Sequence, residues 1–397
     1  MLQSWRWYGP EDPVPLEHVR QAGATDIVTA LHDMYDGRIW PVEAIRARRE
    51  LIEAAGLRWT VVESIPVSNL IERDGAAARQ EIENFKQTMR NLAEEGLEII
   101  CYNFMPIVDW TRTDLRYPAP YGGLALRFDP LDFAGYDLFV LERDGAAEDY
   151  DAATIEAARA RFDGWDEETI NTLEFNIISG LPGAESHYNR QSIADLIATF
   201  ADVDEDRLRA NLIAFHDEII PLAESLGLRM CLHPDDPPIP LFGLPRVLST
   251  QAQYRAIFEA HPSLANGITF CTGSLGARAD NDLAAMVREF APRIHFAHLR
   301  NVKREEDGSF FEADHLEGST DMVEIVDLML REERRRRAEG RKDAEFPMRP
   351  DHGHLLLDDI HKTTYPGYSA IGRLKGLAEL RGVMAALDRA AGQEAGA

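Results

Sequence analysis

Four residues in the C-terminal half are of types that bind metal ions, and each falls where a short apolar run gives way to a turn: His233, Cys271, His298 and Asp351. Their contexts are Cys231-Leu232-His233-Pro234-Asp235-Asp236-Pro237-Pro238, Phe270-Cys271-Thr272-Gly273-Ser274, Ala297-His298-Leu299-Arg300 and Arg349-Pro350-Asp351-His352-Gly353. Two imidazoles, a thiolate and a carboxylate suit a borderline divalent ion such as Mn²⁺, Fe²⁺ or Zn²⁺ better than Mg²⁺ or Ca²⁺. Taken singly, each is more often a satisfied polar group or an inert buried thiol. The joint pattern at successive strand ends is what points to metal. Asp351 and His352 also form a polar pair between Pro350, which biases Arg349 towards extended backbone, and Gly353, which permits a sharp exit.

Side-chain alternation along the strands narrows the set. Ile294, Phe296, His298 and Arg300 share one face, so His298 faces inward only if His295 faces outward. Cys231 shares a face with His233 one layer deeper and reads as packing. Rival chemistries lack their motifs: there is no Gly-x-Ser-x-Gly elbow, no phosphate-binding P-loop, and no Gly-x-Gly-x-x-Gly after an early strand.

The elements that must position these residues follow a regular rhythm. Strands are expected at Ser4–Tyr8, Asp26–Leu31, Arg58–Ser64, Glu98–Phe104, Arg229–His233, Gly267–Cys271, Arg293–Arg300 and Glu345–Asp351. Helical patterns follow most of them, at Leu16–Gln21, Val42–Ala55, Arg79–Glu95, Thr250–Ala260, Asn281–Phe290, Met322–Ala338 and Ile371–Ala391, and one at Leu208–Leu226 leads into the fifth strand. Eight such units predict an α/β fold of the (β/α)8 TIM-barrel type, one catalytic domain over 1–397, with active groups on the loops after the strands. The rhythm breaks after the fourth strand. Residues 109–205 hold charged helical pieces and turn-rich stretches, Tyr117-Pro118-Ala119-Pro120 and Gly180-Leu181-Pro182-Gly183, and read as an inserted cap or lid.

Composition sets outer limits. The 397 residues are 45% hydrophobic, enough for a large core, and carry 42 basic against 68 acidic residues, a net charge of −26. That balance argues against duplex nucleic acid and anionic membrane surfaces as partners. The basic run Arg331–Lys342 is interleaved with or flanked by Glu332, Glu333, Glu339 and Glu345 and reads as a solvated helix face. Three scattered cysteines do not make a disulfide framework, and no apolar leader or membrane-length run is present, so a cytoplasmic protein is the expectation. Oligomeric state, including a homo-oligomer, stays open.

Several longer motifs resemble the mannonate dehydratase family: Trp5-Arg6-Trp7-Tyr8-Gly9-Pro10, Cys101-Tyr102-Asn103-Phe104-Met105-Pro106, Asp109-Trp110-Thr111-Arg112-Thr113-Asp114, His233 to Pro238, Cys271 to Ser274, Ala279-Asp280-Asn281-Asp282, Met348 to His354 and Pro366-Gly367-Tyr368-Ser369-Ala370-Ile371-Gly372-Arg373. The resemblance runs from about Gln3 to Arg389. It implies a xylose-isomerase-like barrel and a Mn²⁺- or Fe²⁺-dependent lyase of hexuronate (glucuronate) catabolism, converting D-mannonate to 2-keto-3-deoxy-D-gluconate and water. It also implies metal ligands at His233, Cys271, His298 and Asp351 and catalytic groups at His352 and Tyr368.

That chemistry removes a proton from C2 and expels the C3 hydroxyl, so it needs a base, an acid and something to offset charge built beside an existing carboxylate. A histidine can do either proton transfer, whereas a tyrosine, with a usual pKa of about 10, suits the acid. His352 is therefore assigned as base and Tyr368 as acid. Arg300 and then Arg112 are the candidates to hold the substrate carboxylate, since a planar fork fits it. Asn103, at the fourth strand end, is the candidate for a hydroxyl. Asp235 and Asp236 either orient a ligand histidine or cap the following turn. Two other functions stay open from sequence: a metal-dependent sugar isomerase or epimerase on the same barrel, and a sugar-binding protein without turnover.

Overall fold

The computed structural model describes residues 1–178 and 189–394. Its twelve strands, among the described residues, are β1 (Leu2–Arg6), β2 (Asp26–Thr29), β3 (Arg58–Glu63), β4 (Ile99–Tyr102), β5 (Asp114–Pro118), β6 (Leu124–Phe128), β7 (Arg229–Leu232), β8 (Asn266–Cys271), β9 (Ile294–His298), β10 (Asn301–Arg304), β11 (Phe310–Ala313) and β12 (Pro347–Arg349). Eight close into a barrel in the order β1-β12-β9-β8-β7-β4-β3-β2, with every neighbouring pair parallel. Strands such as Asp26-Ile27-Val28-Thr29 and Ile99-Ile100-Cys101-Tyr102 are buried along their whole length. A parallel sheet covered on both faces demands this, and it is why they read as unbroken apolar runs.

Inside the barrel Val28, Val61, Ile99, Cys101, Cys231 and Phe296 form a dry plug. Cys231 is therefore packing. The site sits on top of this plug because register fixes it there. Glu63 is level with Cys101, and Cys101 with Cys231; Cys271 is level with His298, and His298 with Arg349.

Helices wrap the outside through apolar stripes. Glu205–Leu226 begins at Asp204, whose carboxylate accepts from the Arg207 N–H at 2.8 Å, and ends at Gly227 in the left-handed region, φ 72°. It buries Leu208, Leu212, Phe215, Ile219 and Ala223, a spacing that keeps them on one face. Each large side chain so buried contributes about 1.5–3 kcal/mol, and Phe215→Ala would cost about 3–5 kcal/mol. On the helix Met322–Ala338 the basic face is solvated as expected at Arg331, Arg335 and Arg337, and the departure is Arg336. Arg336 is fully buried, pairs with Glu332 at 2.7 Å and donates to the Ile294 carbonyl at 2.9 Å, clamping the helix to β9.

The departure from a simple barrel is a second, antiparallel sheet in the order β10-β11-β6-β5. The hairpin β5–β6, from the 109–205 segment, joins the hairpin β10–β11 that follows β9. The expected strand Arg293–Arg300 is thus two: β9 stops at His298, and the chain re-enters extended structure at Asn301 in the other sheet. Helices at Pro130–Phe139, Ala152–Phe162, Glu167–Ile178 and Arg190–Ala198 complete the segment. The turn expected at 180–183 lies outside the described residues. Among the described residues no helix is long and apolar enough to cross a membrane.

Candidate active site

The rim above the plug gathers charge that no core would tolerate unpaired. Four carboxylates, Glu63, Asp236, Glu312 and Asp351, interlock with four guanidiniums, Arg6, Arg112, Arg300 and Arg349, all buried. Arg6 and Arg349 both reach Glu63 Oε1, at 2.7 and 2.8 Å. Arg349 also pairs with Asp351. Arg300 bridges Asp351 and Glu312, each at 2.6 Å, and pairs with Asp236. Arg112 reaches Asp236 at 2.8 Å and Glu312 at 3.1 Å. Burial pushes the Glu312 carboxyl up, but Arg300 and His352 outweigh it and leave it at about 2. The same contest holds Asp351 and Glu63 well below the usual carboxylate range, with Arg349 the leading opponent of burial at both.

Within this frame three of the four expected ligands converge. His233, Cys271 and His298 each present one donor atom, all within 4.8 Å of one another. His233 Nδ1 donates to the Pro234 carbonyl at 2.7 Å, which leaves Nε2 with its lone pair, 3.2 Å from His298 Nδ1. Cys271 caps the short helix Thr272–Gly276, accepting from the Ser274 N–H at 3.4 Å and hydroxyl at 3.0 Å, donors suited to a thiolate. Asp351 stands beside this trio, its Oδ2 3.8 Å from His298 Nδ1 and 3.9 Å from Cys271 Sγ. Its backbone is left-handed, φ 64°, unusual for a residue with a side chain and the mark of a tightly determined position.

The donors fit a divalent cation. Their lone pairs converge on one point, and paired carboxylates and guanidiniums leave the surrounding frame near neutral. A doubly charged ion would then be offset by the Cys271 thiolate and one substrate carboxylate. Orienting His233 falls to the Pro234 carbonyl rather than to the neighbouring aspartates. Asp235 accepts from the Leu248 N–H at 2.8 Å and the Ser249 hydroxyl at 2.7 Å, fixing the loop, and Asp236 belongs to the charge lattice.

His352 and Tyr368 lie at the edge of the trio, their rings edge to face with centroids 5.2 Å apart. His352 Nδ1 donates to Glu312 Oε1 at 3.0 Å, so Nε2 is the free acceptor. Trp110 closes one side, its ring 6.0 Å from that of His352. Gly367 makes this arrangement possible: its φ is +79°, and a Cβ there would sit 3.0 Å from the His352 ring. Gly273 does the same for Arg300, whose side chain crosses 2.5 Å from where a Cβ would be. Burial pushes the Tyr368 phenol up, against the pull of Arg349.

The expected substrate binders fare differently. Arg300 and Arg112 are committed to three and two carboxylates, so neither holds out a free fork. Asn103 lines an open cleft with Tyr35, Ser64, Asn69, Met105 and Asp109, and donates to Asp109 at 2.9 Å. This cleft opens at the ends of β3 and β4, with Ser64, the residue after Glu63, in its wall, and none of the metal trio lines it. Sequence reasoning passed over Glu63 and Glu312. Glu63 ends a barrel strand and was reachable by the rule that found the others. Glu312 is on β11 of the second sheet, and nothing local marked it.

Comparison with known proteins gives a consistent result. Residues 1–394 match the protein family described as D-mannonate dehydratase (UxuA). The chain is similar to mannonate dehydratase 2 of Agrobacterium fabrum, 55% identical over 389 residues that cover 98% of both chains. It is similar to the mannonate dehydratase of Chromohalobacter salexigens, 53% identical over 98% of this chain and 100% of that one. Among solved structures, mannonate dehydratase from Streptococcus suis serotype 2 superposes with a TM-score of 0.77 at 33% identity, covering 99% of this chain and 96% of that one.

Proposed function

The chain belongs to the D-mannonate dehydratase family, and we propose that the rim trio with His352 and Tyr368 is where it removes water from D-mannonate, giving 2-keto-3-deoxy-D-gluconate. The enzyme is a hydro-lyase. The observation that carries the assignment to this rim is the convergence of His233, Cys271 and His298 within 4.8 Å, next to a histidine and a tyrosine able to move protons.

His233, Cys271 and His298 would hold the cation, with Asp351 beside them as a fourth donor. This donor set suits a borderline divalent ion, and the likeness to the family narrows the proposal to Mn²⁺ or Fe²⁺. When bound, it supplies Lewis acidity at the substrate carboxylate and offsets the charge that develops there. His352 takes the C2 proton on Nε2, because Glu312 keeps the proton on Nδ1 and fixes the ring. Tyr368 gives its proton to the departing C3 hydroxyl. Its burial suits that role, since a phenol pushed up keeps its proton until the leaving group takes it. Arg300 and Arg112 act at one remove, neutralising Asp236, Glu312 and Asp351 so that a substrate anion can enter. Asn103, in the adjoining cleft, binds a substrate hydroxyl.

Residues 109–205 serve as a cap. Trp110 walls His352 off from water, and Arg112 ties the segment into the charge lattice. Three buried free cysteines support a reducing compartment, and the reading that goes with it is a cytoplasmic enzyme of hexuronate catabolism. Incubation with D-mannonate and Mn²⁺ tests the assignment: a 2-keto-3-deoxy acid should accumulate. An unchanged aldonate, or an epimerised one, would overturn it.

A further inference from the structure

Two buried polar atoms beside the trio have no hydrogen-bond partner, and they face each other: Glu63 Oε2 and His298 Nε2, 3.5 Å apart. A buried polar group left unmatched is destabilising, so such a pair calls for a reason. The two oxygens of Glu63 divide their work. Oε1 takes both arginines, Arg6 at 2.7 Å and Arg349 at 2.8 Å, which leaves Oε2 turned towards the histidine. The imidazole divides likewise. Its Nδ1 faces His233 Nε2 at 3.2 Å and Asp351 Oδ2 at 3.8 Å, on the side where the donors converge, and its Nε2 points away from them at Glu63.

We infer that Glu63 is a positioning residue for the metal centre: it accepts the Nε2 proton of His298 and thereby fixes the tautomer whose Nδ1 lone pair binds the cation. The carboxylate also makes that nitrogen a better donor, as carboxylates behind metal-bound histidines do generally. His233 achieves the opposite tautomer with a backbone carbonyl, through Nδ1 and Pro234 at 2.7 Å. The two histidines are thus locked in complementary forms, one binding through Nε2 and the other through Nδ1. The 3.5 Å gap is a few tenths of an ångström beyond an ordinary hydrogen bond, and a small rotation of either side chain closes it. Arg6 and Arg349 pin Glu63 on β3 at the level from which it reaches across the barrel mouth to β9.

The inference rests on the metal site proposed above, and two measurements separate them. The first is Mn²⁺ affinity of the full-length, chelator-stripped protein, by competition with a chelator of known strength. Glu63→Gln keeps shape and hydrogen-bonding reach but not charge, and should weaken Mn²⁺ binding about 10–100-fold. Cys271→Ala is the control for the site itself. If Cys271→Ala loses Mn²⁺ while Glu63→Gln binds as tightly as the parent, the role of Glu63 is overturned and the site stands. If Cys271→Ala also binds normally, the site itself is wrong. The second measurement uses the unsubstituted protein loaded with diamagnetic Zn²⁺, since without a metal the His233 Nε2 lone pair would itself draw a proton to His298 Nδ1. With ¹⁵N-labelled histidine, and the His298 signals assigned by their loss in His298→Gln, the proton should reside on Nε2. A proton on Nδ1 instead would refute the inference.

Discussion

Replacing Arg300 with methionine separates two accounts of the same residue. As a substrate clamp, Arg300 would matter for binding and little for folding. As the hub of the charge lattice it should matter for both. The side chain is 1% exposed and contacts Asp236, Glu312 and Asp351. Removing one partner from a buried ion pair costs about 3–5 kcal/mol. Three carboxylates are affected here, but each keeps another cation: Asp236 keeps Arg112, Glu312 keeps Arg112 as well as the His352 N–H, and Asp351 keeps Arg349. The losses therefore overlap, and the total should stay near that range, roughly two to four orders of magnitude in the folding equilibrium. Urea unfolding of the metal-free protein reads it directly. Adding Asp236→Asn to Arg300→Met should recover part of the loss, because it removes one stranded charge. A loss below about 1 kcal/mol, together with a raised KM at unchanged kcat, would refute the lattice and restore the clamp.

His352→Asn and Tyr368→Phe should each lower kcat by about 10²–10⁴-fold while bound Mn²⁺, measured by elemental analysis, stays at the parental level; loss of metal in either would move that residue into the ligand set. Gly367→Ala adds a side chain at a left-handed position against the His352 ring, so it should cost about 1 kcal/mol or more in stability and lower kcat more than KM changes. Stability should fall on the acid side in two stages. Burial lowers His216 and His295 to about 3, below the usual value of about 6.5, so the unfolded chain binds more protons and stability drops as pH falls from about 6.5 towards 3. Glu312, at about 2 in the fold, contributes stability that is present above its unfolded value and is lost as pH falls from about 4.5 towards 2. A urea midpoint flat from pH 6.5 to 5 would contradict the first stage.

The barrel was legible because its strands are buried on both faces, which writes each as a compact apolar run between turn residues. The expected Arg229–His233 and Gly267–Cys271 differ by one residue at one end from β7 and β8. The second sheet was not legible. Asp114–Pro118 is half exposed and ends in proline, and β6 finds its partner Phe310–Ala313 nearly half the chain away, a pairing no local pattern encodes. The strand through Arg300 was overextended for the same reason, since the break after His298 is set by β12 and the second sheet. At the site, strand-end position identified His233, Cys271 and His298 as donors that the fold brings together. What sequence could not convey was competition for the arginines. A fork that looks free in Ala297-His298-Leu299-Arg300 is committed to carboxylates from three other parts of the chain.

The central claim is that His233, Cys271 and His298 hold one cation without which D-mannonate is not dehydrated. Titrating Mn²⁺ into chelator-stripped enzyme while following formation of the 2-keto-3-deoxy acid tests it most directly. Activity should rise in proportion to bound metal and level off at a single ion per chain, and Cys271→Ala should bind little metal and turn over little substrate. Full turnover by metal-free protein, or undiminished metal binding by Cys271→Ala, would contradict it.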